Sequence, residues 1–305
     1  REVSAPRVIV VGDVLYDMVA RVEGGLPVGA DSFVRIQDSP GGSGANVAAW
    51  LASLGVEAHL VGRVGEDPLG DHLEAGLREA GVRTHLPRDP SLPTGRVFVL
   101  VDGSGERTMI TDRGAGEALG PRDIPARLFA PGTHLHLTGY LFSGGGRREA
   151  ALEALRLARS AAMSFSVDPS SVTLLRAVGV ERFAGWTSGA DLLFPNLSEA
   201  ALLSGRAEPE EAASRLLERY RAVVLKLGPE GALYADREGR RARLPAPRVR
   251  RADATGAGDA LCAAFLASWV RGEPPARALR EGVRLAARVV GRTGARSFRR
   301  TRGPC

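Results

Sequence analysis

Asp253-Ala254-Thr255-Gly256-Ala257-Gly258-Asp259 runs straight into the apolar stretch Ala260 to Val270, so a glycine-rich turn opens a buried helix. Glycines at 256 and 258 let successive backbone N–H groups converge where the helix dipole is positive, which makes a place for an anion. Phosphoryl transfer needs such a place, together with a carboxylate that can take the proton of an attacking hydroxyl. Asp259, in the first turn, is positioned for that task. The same residues would also serve as an ordinary loop, with Asp259 as a first-turn acid favoured by the dipole. A Walker loop is excluded, because no Gly-Lys-Ser/Thr follows.

A second glycine-rich segment, Pro40-Gly41-Gly42-Ser43-Gly44-Ala45-Asn46, opens a helical pattern from Ala45 to Leu54 that stops at Gly55. Its exposed backbone would let a polyhydroxy ligand approach, and Asn46 offers both a donor and an acceptor. Val8 to Val11 reads as a buried strand. Leu15 to Val22, Phe33 to Gln37, Gly95 to Val101 and Arg107 to Thr111 read as further strands, the last two flanking the hairpin turn Asp102-Gly103-Ser104-Gly105. From His134 onward strands alternate with helices, ending in helices at 257–270 and 276–290. Such alternation predicts a parallel sheet covered on both faces. The early strands break the alternation and predict a small separate sheet.

The 305 residues are 44% apolar, enough for a large core, and no apolar run approaches the about 20 residues that cross a bilayer. Arg1 to Arg7 lead into an apolar run too short for a signal segment, so the reading is a soluble, cytoplasmic protein with no membrane role. The two cysteines, Cys262 and Cys305, give neither a disulfide framework nor a metal-ligand spacing. A net charge of +6 is spread along the chain without interleaved aromatics, which argues against a nucleic-acid partner. Lys226 is the single lysine. His134 and His136 alternate along one strand without a third ligand and read as packing or surface groups. Trp50, Trp186 and Trp269 read as core.

Taken together, the two glycine-rich segments resemble the two signatures of the ribokinase family of carbohydrate and nucleoside kinases. The first continues through Val64-Gly65-Glu66-Asp67-Pro68-Leu69-Gly70, and Pro195-Asn196-Leu197-Ser198-Glu199 between them looks like the family's Asn-x-x-Glu motif. The resemblance runs from about Val8 to about Ser297. It implies an α/β fold, a ribokinase-like three-layer αβα sandwich with a mainly parallel central sheet and a small β-sheet lid. One kinase domain would span 1–305, with a discontinuous lid at approximately 14–38 and 95–112.

Carried over position by position, the resemblance implies that Asp259 is the general base and that Gly256, Ala257 and Gly258 form the anion hole. Asn196, Lys226, Gly228, Gly231 and Thr255 would line the nucleotide, ATP. Glu199 would organise Mg²⁺ through water, which suits a hard cation that keeps its hydration; as a lone residue it reads as a surface acid on a helix. Lys226 would touch phosphate or end its strand in solvent. Asp253, Gly294 and Ser297 fall where some relatives bind a monovalent cation, so K⁺ enters as a candidate activator. Asp168-Pro169-Ser170-Ser171 stands where the family often has Asp-Pro-Asn, and is left unassigned.

On the acceptor side the resemblance places Asp17, Asp13, Gly41, Gly42 and Asn46 around sugar hydroxyls. Asp13 would equally cap its turn. Arg113 stands where ribokinases proper have a small residue; its guanidinium would suit an acidic or highly oxygenated sugar, or pair with Asp112 or Glu117 on the lid. The expected reaction is ATP-dependent phosphorylation of a sugar or sugar-acid hydroxyl, in a homodimer joined through the lid. The rivals are a nucleoside kinase of the same family and a non-catalytic sugar- or nucleotide-sensing protein. Phe33 and Phe98 are the main lid aromatics available to stack on a base.

Overall fold

The computed structural model describes residues 6–22, 24–26, 29–104, 107–249 and 255–290. Asp253, Gly294 and Ser297, the residues of the K⁺ expectation, lie outside them. The chain begins with β1 (Arg7–Val11), β2 (Leu15–Val22), β3 (Ile36–Gly41) and α1 (Ser43–Ser53). It continues through β4 (Glu57–Val61), β5 (Val64–Gly65), α2 (Pro68–Glu79), β6 (Arg83–His85) and β7 (Arg88–Asp89) to the hairpin β8 (Thr94–Asp102) and β9 (Arg107–Gly114). Then come β10 (Thr133–Thr138), α3 (Gly145–Ser160), β11 (Ser164–Asp168), α4 (Val172–Val178), α5 (Val180–Thr187), β12 (Leu192–Leu193), α6 (Leu197–Ser204) and α7 (Pro209–Leu216). The last elements are β13 (Ala222–Lys226), β14 (Ala232–Asp236), β15 (Arg241–Leu244), α8 (Ala257–Trp269) and α9 (Pro275–Val290).

Among the described residues the large sheet has nine strands in the order β15-β14-β13-β12-β11-β10-β1-β4-β6. The pairs from β13 across to β6 are parallel, and β14 and β15 close one edge as antiparallel hairpins. Strand residues alternate between two cores, as period-2 side chains must. Val8 and Val10 pack with α1, α2, α8 and α9, whereas Ile9 and Val11 pack with α3 to α7. That is a three-layer αβα sandwich. The chain leaves β1 for β4 on one side and later returns to β10 on the other, so ligands are expected in the crevice past the carboxyl ends of β1 and β10.

A separate four-stranded sheet, in the order β3-β2-β8-β9, stands over that crevice. The expected strand at Phe33 to Gln37 is displaced: pairing starts at Ile36 opposite Ala20, while residues 31–35 are irregular and Phe33 is 97% exposed. The helical material after β11 is divided at Gly179, φ 93°, into α4 and α5, and α7 follows α6 before β13. His134 and His136 are buried on β10 and hydrogen-bond Ser164 and Ser166 on the next strand, so they are packing groups. Among the described residues no helix is long and apolar enough to cross a membrane.

Candidate active site

The carboxyl ends of five neighbouring parallel strands each deliver a polar side chain to one cavity of about 530 Å³. Asp13 follows β1, Tyr140 follows β10, Asp168 ends β11, Asn196 follows β12 and Lys226 ends β13. Thr255 and Gly256 before α8 and Gly258 and Asp259 in its first turn close one side, and the start of α1 closes another with Gly42, Ser43 and Asn46. Above them the small sheet contributes Leu15, Asp17, Val97, Val99, Arg107, Met109, Thr111 and Arg113. On β9 the contributors alternate, 107, 109, 111 and 113, so one face of that strand looks into the cavity.

Asp259 is held from both sides. Ser43 Oγ donates to its Oδ1 at 2.7 Å and Asn46 Nδ2 to its Oδ2 at 2.9 Å. Burial pushes the carboxyl up to about 6, against the lowering effect of the Asn46 and Ser43 hydrogen bonds. Gly256, the residue before α8, has φ 73°, a left-handed conformation that glycine adopts without a Cβ penalty. Reaching Asp259 requires α1 to press onto the end of β1. Gly12 and Gly44 make this possible: a Cβ on Gly44 would stand 2.7 Å from Gly12 Cα.

Lys226 donates from Nζ to Asp168 Oδ2 at 2.7 Å, so the solvated strand-end alternative is overturned. Burial alone would lower its pKa, but the carboxylates of Asp168 and Glu199 outweigh this and raise it. The ammonium is therefore a fixed positive charge beside Gly258. Glu199 is not the surface acid that a lone reading suggests, being 2% exposed. It forms a capping box at the start of α6: Asn196 N donates to Oε2 at 2.8 Å, Asn196 Nδ2 to Oε1 at 2.8 Å, and Glu199 N to Asn196 Oδ1 at 2.9 Å. Burial pushes its carboxyl up to about 7, with Lys226 opposing.

Arg113 is not a surface group either. Its Nη1 pairs with Asp13 Oδ2, its guanidinium lies 4.8 Å from the Tyr140 ring centroid, and Glu117 is at 3.9 Å. Gly41 lies against the Asp17 carboxylate, at the paired ends of β2 and β3. Gly228 and Gly231 flank the turn between β13 and β14, and neither they nor Ala257 and Gly41 face the cavity directly. Sequence reasoning missed Ser43, Arg107, Thr111, Tyr140, Asp168 and Ser170. Ser43 lies inside a quoted segment, and Asp168 and Ser170 inside one left unassigned; only proximity reveals their part.

The cavity offers anionic and cationic walls side by side. Asp168 and Glu199 face it with Asn196 and Lys226, a donor set that fits a hydrated Mg²⁺ shared with phosphates. Among the described residues no group of three or more such side chains is arranged to hold a metal by itself.

A family model described as pfkB family carbohydrate kinase matches residues 5–302. The chain is 35% identical over 294 residues to an ATP-dependent ribose-1-phosphate kinase of Halopiger xanaduensis, covering 95% of this chain and 94% of that one. Among solved structures it is similar to an adenosine kinase from Sinorhizobium meliloti, with a TM-score of 0.88, 26% identity and 97% of each chain covered. It is also similar to an E. coli protein provisionally assigned as a ribokinase II and solved with ATP and Mg²⁺, with a TM-score of 0.85, 26% identity and 95% and 94% coverage.

Proposed function

The chain belongs to the pfkB family of carbohydrate kinases, and from that premise we propose that it transfers the γ-phosphoryl group of ATP to a sugar hydroxyl, with Asp259 as general base. The observation that carries this is the pair of hydrogen bonds from Ser43 and Asn46 that fix Asp259 at the mouth of a glycine-rich helix N-terminus. Asp259 lines the cavity, and its carboxylate can accept the proton of the acceptor hydroxyl. The deprotonating oxygen attacks the γ-phosphorus while the bond to the β,γ-bridging oxygen breaks, releasing ADP. Charge on the moving group is met by the backbone N–H groups at 256–258, the α8 dipole and the Lys226 ammonium.

Mg²⁺, when bound with the nucleotide, neutralises phosphate charge; Asn196, Glu199 and Asp168 are the residues that would hold its waters. Thr255 and the turn carrying Gly228 and Gly231 border the nucleotide side. Asp17, Asp13, Gly41, Gly42 and Asn46 border the acceptor. The small sheet acts as a lid that excludes water and limits idle ATP hydrolysis. Ile36 and Ile110 on the small sheet, with Phe33 just before β3, leave apolar surface that a second copy of the chain would cover.

A nucleoside acceptor is the second reading, favoured by the likeness to the adenosine kinase. The cavity weighs against it, because Tyr140 is the one aromatic residue among the described residues that line it. Phe33 and Phe98 are not among them. ATP turnover with Mg²⁺ against ribose, ribose 1-phosphate, fructose, 2-dehydro-3-deoxygluconate, inositol, adenosine and cytidine separates the readings. Turnover on a sugar that collapses in Asp259→Asn supports the proposal; turnover on nucleosides alone supports the second reading.

A further inference from the structure

Among the described residues two that are not glycine have a positive φ, and they stand in different settings. Ala162, at φ 50°, follows the end of α3, where helices commonly leave through a left-handed residue. Ser170, at φ 70°, lies between β11 and α4 and lines the cavity. Across it Ser171 N donates to Pro169 O at 2.9 Å. A bond between residues two apart, with a positive φ at the centre, is the strained form of the γ-turn, which is rare. Such a conformation costs about 1–3 kcal/mol and persists only where the surroundings over-determine it. Helix capping does not ask for it, because α4 takes its cap from Ser171, whose Oγ accepts from Leu174 N. What holds the turn is that every polar atom of Ser170 is engaged. Gly139 N donates to its Oγ at 2.9 Å, and that Oγ donates to Asp168 O at 3.1 Å. Its N donates to Asp168 Oδ1 at 3.0 Å, and its O accepts from the Tyr140 hydroxyl at 3.3 Å. Only glycine fits at 139, since a Cβ there would stand 2.2 Å from Pro169 O.

The turn reaches two walls of the cavity at once. By occupying Asp168 Oδ1 it leaves Oδ2 for Lys226 Nζ, at 2.7 Å. By holding the Tyr140 hydroxyl it sets that ring 4.8 Å from the Arg113 guanidinium, which in turn pairs with Asp13. We propose that Ser170 is a positioning residue for phosphoryl transfer: its turn fixes the phosphate wall, Asp168 with Lys226, at one spacing from the acceptor wall, Tyr140 with Arg113 and Asp13. The inference rests on the kinase reading above. Ser170 touches no reacting atom in that reading and acts through Asp168 and Tyr140. Spacing matters because a misplacement of about 1 Å between reacting groups costs about 10²-fold in rate. Glycine at 170 would be free of strain but would bring neither the Oγ bonds nor the stiffness.

Substitutions in the full chain separate backbone from side chain. Ser170→Ala keeps the strain and removes Oγ, and Ser170→Gly removes both. Ser170→Asn tolerates the left-handed backbone and keeps a side-chain acceptor for Gly139 N. With ATP, Mg²⁺ and the acceptor that the substrate panel identifies, kcat is expected to fall about tenfold or more in Ser170→Ala and Ser170→Gly. In Ser170→Asn it should stay within a few-fold of wild type. Ser170→Gly should lose its activity although its Tm is no lower than that of Ser170→Ala, because the strain has gone. Tyr140→Phe keeps the ring against Arg113 and loses only the bond to Ser170 O. It alters the acceptor wall, yet it should weaken Mg²⁺·ADP binding several-fold by titration calorimetry, as Ser170→Ala should. Combined, the two should cost less than the product of their separate losses. Unchanged kcat in both Ser170→Ala and Ser170→Gly, losses that follow Tm through the series, or ADP binding untouched by Tyr140→Phe overturns the proposal. Should Ser170→Ala fail to fold, Ser170→Gly and Tyr140→Phe decide it. Silence with every acceptor sinks the kinase reading instead, and the ADP titration then decides for Ser170; a wild type that binds no ADP overturns both.

Discussion

Asn46 and Asp259 are 213 residues apart in the chain, and their side chains meet at 2.9 Å. One opens α1, the other opens α8, and the two helices pack side by side on one face of the large sheet. The contact ties the start of α1 to the glycine-rich start of α8, so the proposed base is aimed by the residues that would hold the sugar. Its geometry leads to a first prediction. Asp259→Asn keeps size and both neighbours but cannot take a proton, so kcat should fall by about 10³ or more. Nucleotide binding measured by calorimetry should survive within a few-fold. A variant that retains most of its turnover would remove Asp259 from the mechanism.

The acid limb of the rate profile should report the same group. Asp259 must be ionised to act, and burial holds its pKa at about 6, so kcat/KM should rise with pH through about 6 and level off above it. Asn46 donates to the carboxylate and lowers its pKa. Asn46→Ala should therefore move the limb to higher pH, and a shift to lower pH would contradict the assignment.

Stability carries a matching sign. The folded-state pKa of Asp259 is raised from 3.8 to about 6, so its ionisation opposes folding. The contribution is most favourable below the unfolded value and is lost as pH rises from about 4 to about 6. Asp259→Asn lacks this loss. Its Tm relative to wild type should grow across that window and stay constant above it.

Lys226 and Asp168 test charge pairing at the cavity floor. Lys226→Met strands two buried carboxylates, Asp168 and Glu199, and should cost about 3–5 kcal/mol by denaturant unfolding. Adding Asp168→Asn should restore much of that stability. It should not restore turnover if the ammonium also acts on phosphate. Recovery of both would make the pair purely structural.

Gly44→Ala probes the close approach of α1 to β1. The new Cβ has no room against Gly12, so the helix must shift, at a cost of about 1–3 kcal/mol. Asn46 and Ser43 move with it. Turnover should fall more than stability predicts, because the hydrogen bonds to Asp259 are lost; the comparison needs kcat and Tm on the same preparation.

The sandwich was legible from strand and helix periodicity, because a parallel strand buried on both faces and the helices covering it leave a one-dimensional signature. The same holds for the two glycine-rich helix starts, whereas Asn196 and Glu199 were legible only through the family resemblance, and their capping box and the burial of Glu199 only in the structure. Short irregular pieces were not legible: β3 begins later than the residues preceding it suggest, since pairing with β2 and not side-chain type decides where that strand starts. Nor could spacing reveal that Asp168 neutralises Lys226 across 58 residues, or that Arg113 turns inward to Asp13 across 100. By itself the sequence determined which segments become helix starts and strand ends, because backbone freedom and hydrophobic period are local. Only the tertiary structure decided which charges meet and which are buried. Those depend on neighbours brought in from distant parts of the chain, and on the loss of water that makes each such meeting count.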